Sequence, residues 1–411
     1  MAKIFLNKLY YGWVIVAASV IITTVFGSIN STFSVFLAYI AKDLDLQRGS
    51  LSLAFSLALL LGGGLAIIAG KISDKYGPRL LISITGLAIG LTFLSMSQVT
   101  ALWQIYLTWG LFGSIALGCC IVPINSTIPK WFIRNRGLAI SLSVTGLGIG
   151  GIIWPLLSQR LIDTFDWRTA YIIIGVIAFF LITISAQFLK INPQAIGQKP
   201  LGFDSNQIIE RRADTQDKSL SFKQALKTGR FWVFGTMLLL HNFCIMVVMI
   251  HIVPHSIDLG LSPPVAAGVL STFLGVTLIT KLCIGFFIDK FGSIRVLIVN
   301  MAIGLVSFVM LPFAESVAVL YLFAVLLGLT GGMTGLQTLV TADLFGIKSI
   351  GAILAGITLF NTIGGSVSPV FAGTVFDNTG TYMTAFLVCI AFRVIIMILN
   401  VVLLRLAKIK S

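Results

Sequence analysis

The stretch Ala266-Ala-Gly-Val-Leu-Ser-Thr-Phe-Leu-Gly275-Val-Thr277-Leu-Ile-Thr-Lys281-Leu-Cys283-Ile-Gly285-Phe-Phe-Ile-Asp289-Lys290-Phe-Gly292-Ser-Ile-Arg295 is an apolar run that ends in a charged turn. It is long enough to cross a bilayer and carries one cation inside, Lys281. With a rise of about 1.5 Å per residue, Lys281 lies roughly 12 Å from the turn at Asp289, near the middle of a hydrocarbon core about 30 Å thick. A cation at that depth costs about 2.5–3.5 kcal/mol on insertion scales, so it is expected to face a cavity, a partner or a solute path. Snorkelling reaches from helix ends rather than midspan, and no acidic residue occurs at similar depth elsewhere in the chain. Structural pairing with a neighbouring helix is the competing reading; the preferred one is an anion supplied from outside.

Composition agrees with a membrane solvent. Of the 411 residues, 57% are hydrophobic and 10% charged, and the mean hydropathy is +1.02. A soluble core cannot absorb that much apolar surface, so the chain is read as a polytopic membrane protein lying in lipid bilayer. The net charge of +14 is not gathered into the stripe that nucleic acid would need, so no nucleic-acid partner is expected. Cys119, Cys120, Cys244, Cys283 and Cys389 all fall in apolar spans, where they act as small hydrophobes; no metal, cofactor or disulfide is expected. Lys3 and Lys8 precede an apolar run that outlasts a signal-peptide core, which predicts an uncleaved first span.

Breaks at charged, Gly or Pro clusters divide the chain into twelve spans, at about 11–40, 51–70, 80–98, 103–123, 138–161, 171–189, 231–257, 265–288, 296–313, 317–340, 353–376 and 383–404. Lys and Arg collect in alternate connections, with Lys42, Arg48, Arg160 and Arg168 the main exceptions, so both termini are expected to be cytoplasmic. The polar stretch from Lys190 to Arg230 separates two sets of six spans and could hold a short helix on the membrane surface. The expected domains are therefore residues 1–190, a linker at 191–229, and residues 230–411. A repeat supports the division: Gly70-Lys-Ile-Ser-Asp74-Lys75-Tyr-Gly77-Pro-Arg79 follows the second span as Gly285-Phe-Phe-Ile-Asp289-Lys290-Phe-Gly292-Ser-Ile-Arg295 follows the eighth. The expectation is an all-α membrane protein of twelve transmembrane helices in two pseudo-symmetric six-helix bundles.

The first of these turns resembles the signature loop of the major facilitator superfamily, and Asp289-Lys290-Phe291-Gly292 resembles its weaker echo. Further stretches narrow the likeness: Tyr11-Gly12-Trp13; Trp131-Phe132-Ile-Arg134-Asn-Arg136-Gly137-Leu138-Ala139; His251-Ile-Val-Pro254-His-Ser-Ile-Asp258-Leu-Gly260; and Asp377-Asn-Thr-Gly380-Thr-Tyr382. Together they resemble bacterial members of the monocarboxylate porter and oxalate/formate antiporter group, over essentially the whole chain. The resemblance implies the major facilitator fold and a bacterial-type inner membrane. In that group the eighth helix usually carries a carboxylate-binding arginine; Lys281 stands at the matching position. The lysine that the group's oxalate exchangers have in the eleventh helix is missing, since no cation occurs between Lys348 and Arg393. This departure favours one carboxylate per solute. The resemblance also implies that Asp74, Arg79 and Asp289 gate the cytoplasmic end through charge contacts, with Arg134 and Arg136 as candidate partners.

Other polar residues are candidates for solute contact. Thr277 shares the helix face of Lys281 four residues later, although a threonine more often bonds back to its own helix. His241, His251 and His255 all lie on the seventh span, with Asp258 just beyond. His251 is assigned to solute or proton, with Asp258 a further candidate for proton coupling; His255 and Asp258 alternatively form an exposed pair. Asn30 and Asn125, in the first and fourth spans, could orient a small acid, or simply bond between helices; Gln337 and Asn361 have similar but weaker claims. Gly146-Leu-Gly148-Ile-Gly150-Gly151 fits a dinucleotide motif formally, but no strand precedes it, and small residues for close helix packing are the better reading. The same holds for Gly62-Gly63-Gly64 and Gly364-Gly365, and Pro155 predicts a bend. Arg393, about ten residues into the last span, has no functional account at this level.

No nucleophile–base cluster or metal-ligand spacing occurs, so an enzyme is not expected. The expected function is secondary transport of a small organic anion, a monocarboxylate such as lactate or pyruvate, by alternating access in a monomer. The anion binds Lys281 and a proton travels with it. Anion exchange of the oxalate/formate type is the alternative within transport, and a transporter-fold sensor without flux the alternative outside it.

Overall fold

The computed structural model describes residues 10–133, 135–202, 220–314, 316–346 and 349–408. Among them helices dominate, and the sole pairing of extended backbone is a single bridge between Phe132 and Leu201. Among the described residues, eleven helical stretches are long and apolar enough to cross a membrane.

The first half contains α1 (Tyr11–Asp43), α2 (Arg48–Tyr76), α3 (Pro78–Met96), α4 (Leu102–Leu107), α5 (Ser114–Cys119), α6 (Ile121–Trp131), α7 (Arg136–Thr164) and α8 (Trp167–Ala186). The second contains a short α9 (Phe222–Leu226), then α10 (Gly229–Asp258), α11 (Pro263–Phe291), α12 (Ser293–Met310), α13 (Val317–Gly328), α14 (Met333–Phe345), α15 (Ile350–Thr379) and α16 (Met383–Lys408).

Two spans depart from expectation. The fourth does not stop near residue 123: α4, a π-helical turn at Thr108–Gly113, α5 and α6 continue it to Trp131. Pro123 and Pro129 do not end it, although Pro129 lies inside α6. The tenth span is not one helix, because α13 stops at Gly328 and α14 begins at Met333. The interruption holds Gly331 and Gly332, where side chains of α11 press on the backbone: a Cβ on Gly331 would lie 2.4 Å from Thr277 Cγ2, and one on Gly332 2.8 Å from Ile284 Cδ1. In the connection between the halves, the helix present among the described residues is α9, of five residues. A short 3₁₀ turn, Pro193–Ile196, lies before it.

By contacts the chain divides into two compact units, Met1–Leu46 with Leu53–Ser205, and Gln47–Ser52 with Asn206–Ser411. Each repeats the same internal pairing. In the first unit α1 lies along α7 and α3 along α8; in the second α10 lies along α15 and α12 along α16. The first and fifth spans of each half, and the third and sixth, are thus partners.

Glycine makes the closest of these pairings possible. On α7, a Cβ at Gly146 would sit 2.2 Å from Val20 O, and one at Gly150 2.1 Å from Thr24 O. On α15, a Cβ at Gly364 would sit 2.2 Å from Leu239 O. In a bilayer, where lipid tails are as apolar as leucine, such close backbone approach supplies the dispersion contacts that associate helices. The glycine run on α7 is therefore a packing seam, and Trp154 Nε1 completes it by donating to Thr24 O at 2.7 Å.

The repeated turns also match in conformation. Gly77 has φ 86° and ψ 167°, and Gly292 has φ 82° and ψ 150°, each just before the next helix. A side chain is strained at such positive φ, which explains glycine at the same place in both halves.

Candidate functional site

Lys281 is placed by the packing of α11. Val276, Thr277 and Ile284 form the seam against Gly328, Gly331 and Gly332. About 100° of rotation per residue sets Lys281 roughly 40° from Thr277, at the edge of that seam. Its side chain is exposed and meets no carboxylate or other hydrogen-bonding group among the described residues. Thr277 Oγ1 is buried and has no partner either, whereas Thr280 Oγ1 bonds back to Val276 O at 3.0 Å. The threonine one turn before the lysine thus keeps a free donor.

Neutral amides are gathered elsewhere in the second unit. Asn361 Nδ2 donates to Gln337 Oε1 at 2.9 Å, and Asn242 Nδ2 donates to Asn361 O at 2.7 Å. This ladder joins α10, α14 and α15. In the first unit Asn125 is exposed on α6, and Asn30 is half-buried on α1, its Nδ2 3.5 Å from Phe26 O.

His251 and Asp258 belong to a different constellation. His251 is fully buried, with Nε2 2.9 Å from Pro369 O and Nδ1 3.1 Å from Tyr382 Oη. A carbonyl only accepts, so Nε2 carries the hydrogen and Nδ1 accepts from the tyrosine. Asp258 does not pair with His255. It receives a two-pronged contact from Arg48, at 2.5 and 2.8 Å, while Arg48 Nη1 also donates to Tyr382 Oη at 3.0 Å. The guanidinium lies over the Phe376 ring at 3.9 Å. His255 packs its ring edge-on to Tyr382 and Phe386. Burial pushes the Tyr382 phenol up from its ordinary pKa.

In the sequence Arg48 stands only as a loop charge, and Asp377 and Tyr382 only as parts of a motif. The available signal was a lone arginine at the start of a span with two aspartates at the ends of others.

Arg393 is fully buried. Its Nη1 donates to His241 Nδ1 at 3.0 Å, and its Cζ lies 4.8 Å from the Phe308 ring centre. Among the described residues Nε and Nη2 have no close hydrogen-bond partner, and the Cys244 thiol lies beside the guanidinium. Gly304 makes room, since a Cβ there would stand 2.6 Å from Nη1. No cluster of metal-ligating side chains occurs among the described residues. Of the gating candidates, Arg79 is exposed on α3, and the side chains of Asp74 and Asp289 lie outside the described residues, as do those of Arg134 and Arg136.

The sequence profile of the Major Facilitator Superfamily matches residues 19–275 and 252–411. The chain belongs to the major facilitator superfamily. Among curated relatives of this superfamily member, "Monocarboxylate transporter 12" of Rattus norvegicus is 25% identical over 429 residues, covering 97% of this chain and 86% of the relative. "Monocarboxylate transporter 13" of Bos taurus is 25% identical, covering 93% and 87%, and "MFS transporter asaE" of Aspergillus flavus is 27% identical, covering 88% and 79%. Among solved structures, a bacterial homolog to the human lysosomal transporter Spinster, in an inward-facing and unoccupied conformation, superposes with TM-score 0.77 at 15% identity, covering 98% of both chains. The nucleoside transporter NupG gives 0.70 at 15% identity, covering 96% of this chain and 99% of that one. These structural likenesses concern the fold. The superfamily, the apolar helices and the relatives make the chain an integral membrane protein and a transporter of the major facilitator type.

Proposed function

We propose that this transporter carries small monocarboxylates of the lactate and pyruvate kind together with a proton, by alternating access. The observation that carries the reading is Lys281: an exposed ammonium on an apolar helix, with no carboxylate partner among the described residues. Charge that the protein does not neutralise attracts an anion strongly in low-dielectric surroundings. The unpartnered Thr277 hydroxyl one turn earlier offers a second donor for the same carboxylate or for a neighbouring hydroxyl. The names of the relatives support the solute class.

The proton is assigned to Lys281 as well. Both ring nitrogens of His251 are engaged, and Asp258 is paired with Arg48. A lysine ammonium can give up and retake a proton, whereas an arginine guanidinium stays charged. In this scheme the amine takes the proton first and the carboxylate second. Asn125 and Asn30 are retained as amide contacts of the first unit.

Uptake of labelled lactate into proteoliposomes tests the proposal. An imposed pH gradient should drive uptake without internal solute, Lys281→Gln should abolish it, and Lys281→Arg should keep binding while flattening its pH dependence. Uptake that requires internal anion and ignores the gradient would replace symport by exchange. Wild-type rates from Lys281→Gln would sink the assignment of the site.

A further inference from the structure

The start of α2 is held inside the second unit by a chain of directional hydrogen bonds. Residues Gln47–Ser52 cluster with that unit. Arg48 N and Gly49 N, the first amides of the helix, donate to Asp377 Oδ1 and Oδ2 at 2.9 and 2.7 Å. Backbone meets backbone beside them, because a Cβ on Gly373 would lie 2.6 Å from Gly49 Cα. From the Arg48 side chain the bonds run in one direction: Arg48 Nη1 to Tyr382 Oη, Tyr382 Oη to His251 Nδ1, and His251 Nε2 to Pro369 O. Ser52 Oγ stands 3.4 Å from the same Nε2.

This chain has room for only one protonation state of the imidazole. A hydrogen on Nδ1 would point at the tyrosine hydrogen, and the imidazolium would sit in the same buried cluster as the Arg48 guanidinium. The phenol oxygen already accepts from Arg48, so its own hydrogen would need a new acceptor. We propose that residues 48–52, Asp258, Asp377, Tyr382 and His251 form a proton-released catch: it holds the start of α2 while His251 is neutral, and acid opens it. The inference stands whichever solute is carried.

The sign follows from linkage. In the closed catch His251 is bound as the neutral form; once freed to water it takes a proton at its ordinary value of about 6.5. The closed state is therefore fully favoured above about pH 6.5 and loses up to about tenfold in population ratio for each unit below it. Other groups face the same cluster. Asp258 and Asp377 face it as acceptors, Asp258 from the Arg48 guanidinium and Asp377 from the Arg48 and Gly49 amides. Arg48 and the buried Tyr382 phenol do not titrate in this window. His255, on the same helix and packed on Tyr382, is the one competitor.

Hydrogen–deuterium exchange of the full-length protein in nanodiscs, corrected for intrinsic rates, reads the catch at the amides of Arg48 and Gly49. Their protection should fall roughly thirtyfold between pH 7.5 and pH 5.0. Glutamine can donate to Pro369 O and accept from Tyr382, so His251→Gln should keep the protection and lose the pH step. Tyr382→Phe should lower protection at every pH, and His255→Gln should leave the wild-type step. Protection that does not change with pH in the wild type, or a wild-type step that persists in His251→Gln, would overturn the proposal.

Discussion

Lys281 and Arg393 are both cations inside apolar spans of the same unit, and neither meets a carboxylate among the described residues. Their surroundings are opposite. Arg393 is wrapped completely, its charge spread over the His241 nitrogen and the Phe308 ring, with Gly304 leaving space for it. Lys281 stands exposed beside an unpartnered threonine. A guanidinium has five donors and a flat face, so neutral acceptors and a ring can hold it. An ammonium that finds no such shell stays available. The difference teaches that an intramembrane cation without an acid can take an anion from outside, as proposed for Lys281, only where the fold leaves it uncovered.

The sharpest way to break this contrast is to remove each charge at near-constant volume. Lys281→Met should reduce lactate uptake by at least about 100-fold, as expected for losing a charge-assisted contact of about 3 kcal/mol, with the unfolding midpoint unchanged. Arg393→Met should leave uptake near wild type and the midpoint equal or higher, since an apolar replacement of a buried charge is often neutral or stabilising. Equal loss of uptake in both variants would erase the distinction.

Truncation should then separate packing from charge at position 393. Arg393→Ala should cost about 3 kcal/mol of stability by leaving a cavity, measured by denaturant or thermal unfolding in detergent. A smaller effect is expected at its partner. His241→Leu should cost about 2 kcal/mol, by taking away the acceptor for Nη1, and close to nothing in the Arg393→Met background. Additive losses would mean that the histidine does not serve the arginine.

An ordinary charge at a helix end gives the lower scale. Asp166 starts α8, accepting from Thr169 N at 2.7 Å, and that bond holds its carboxyl below the usual carboxylate value. A depressed value means the contribution is present above the unfolded-state pKa of about 3.9 and fades as pH falls through the lower folded one. Asp166→Ala should therefore cost about 1 kcal/mol at pH 7, with the gap to wild type closing below about pH 4.

Much of this architecture could be read in the residues. Span positions follow from apolar length, and the duplicated turn follows from Gly77 and Gly292, whose shared positive φ shows why both copies keep glycine. The packing role of Gly146 and Gly150 was also legible, because no strand precedes them. What pattern could not show was partnership. In sequence, His251 and Asp258 are separate candidates for proton coupling on one helix, with His255 and Asp258 as an alternative exposed pair; the structure gives His251 and Asp258 to Tyr382, Pro369 and Arg48, from three other parts of the chain. The break after Gly328 was hidden for a related reason: it answers to Thr277 and Ile284, more than forty residues away.

Hydropathy and repeat are properties of neighbouring residues, so the amino-acid order alone determined a duplicated helical membrane protein with a lone lysine in its eighth span. Whether a given polar group is open or satisfied depends on which distant helix lies against it, within a few ångströms. Only the tertiary structure decided that, burying Arg393 against His241 and tying Arg48 to Asp258 while leaving Lys281 free.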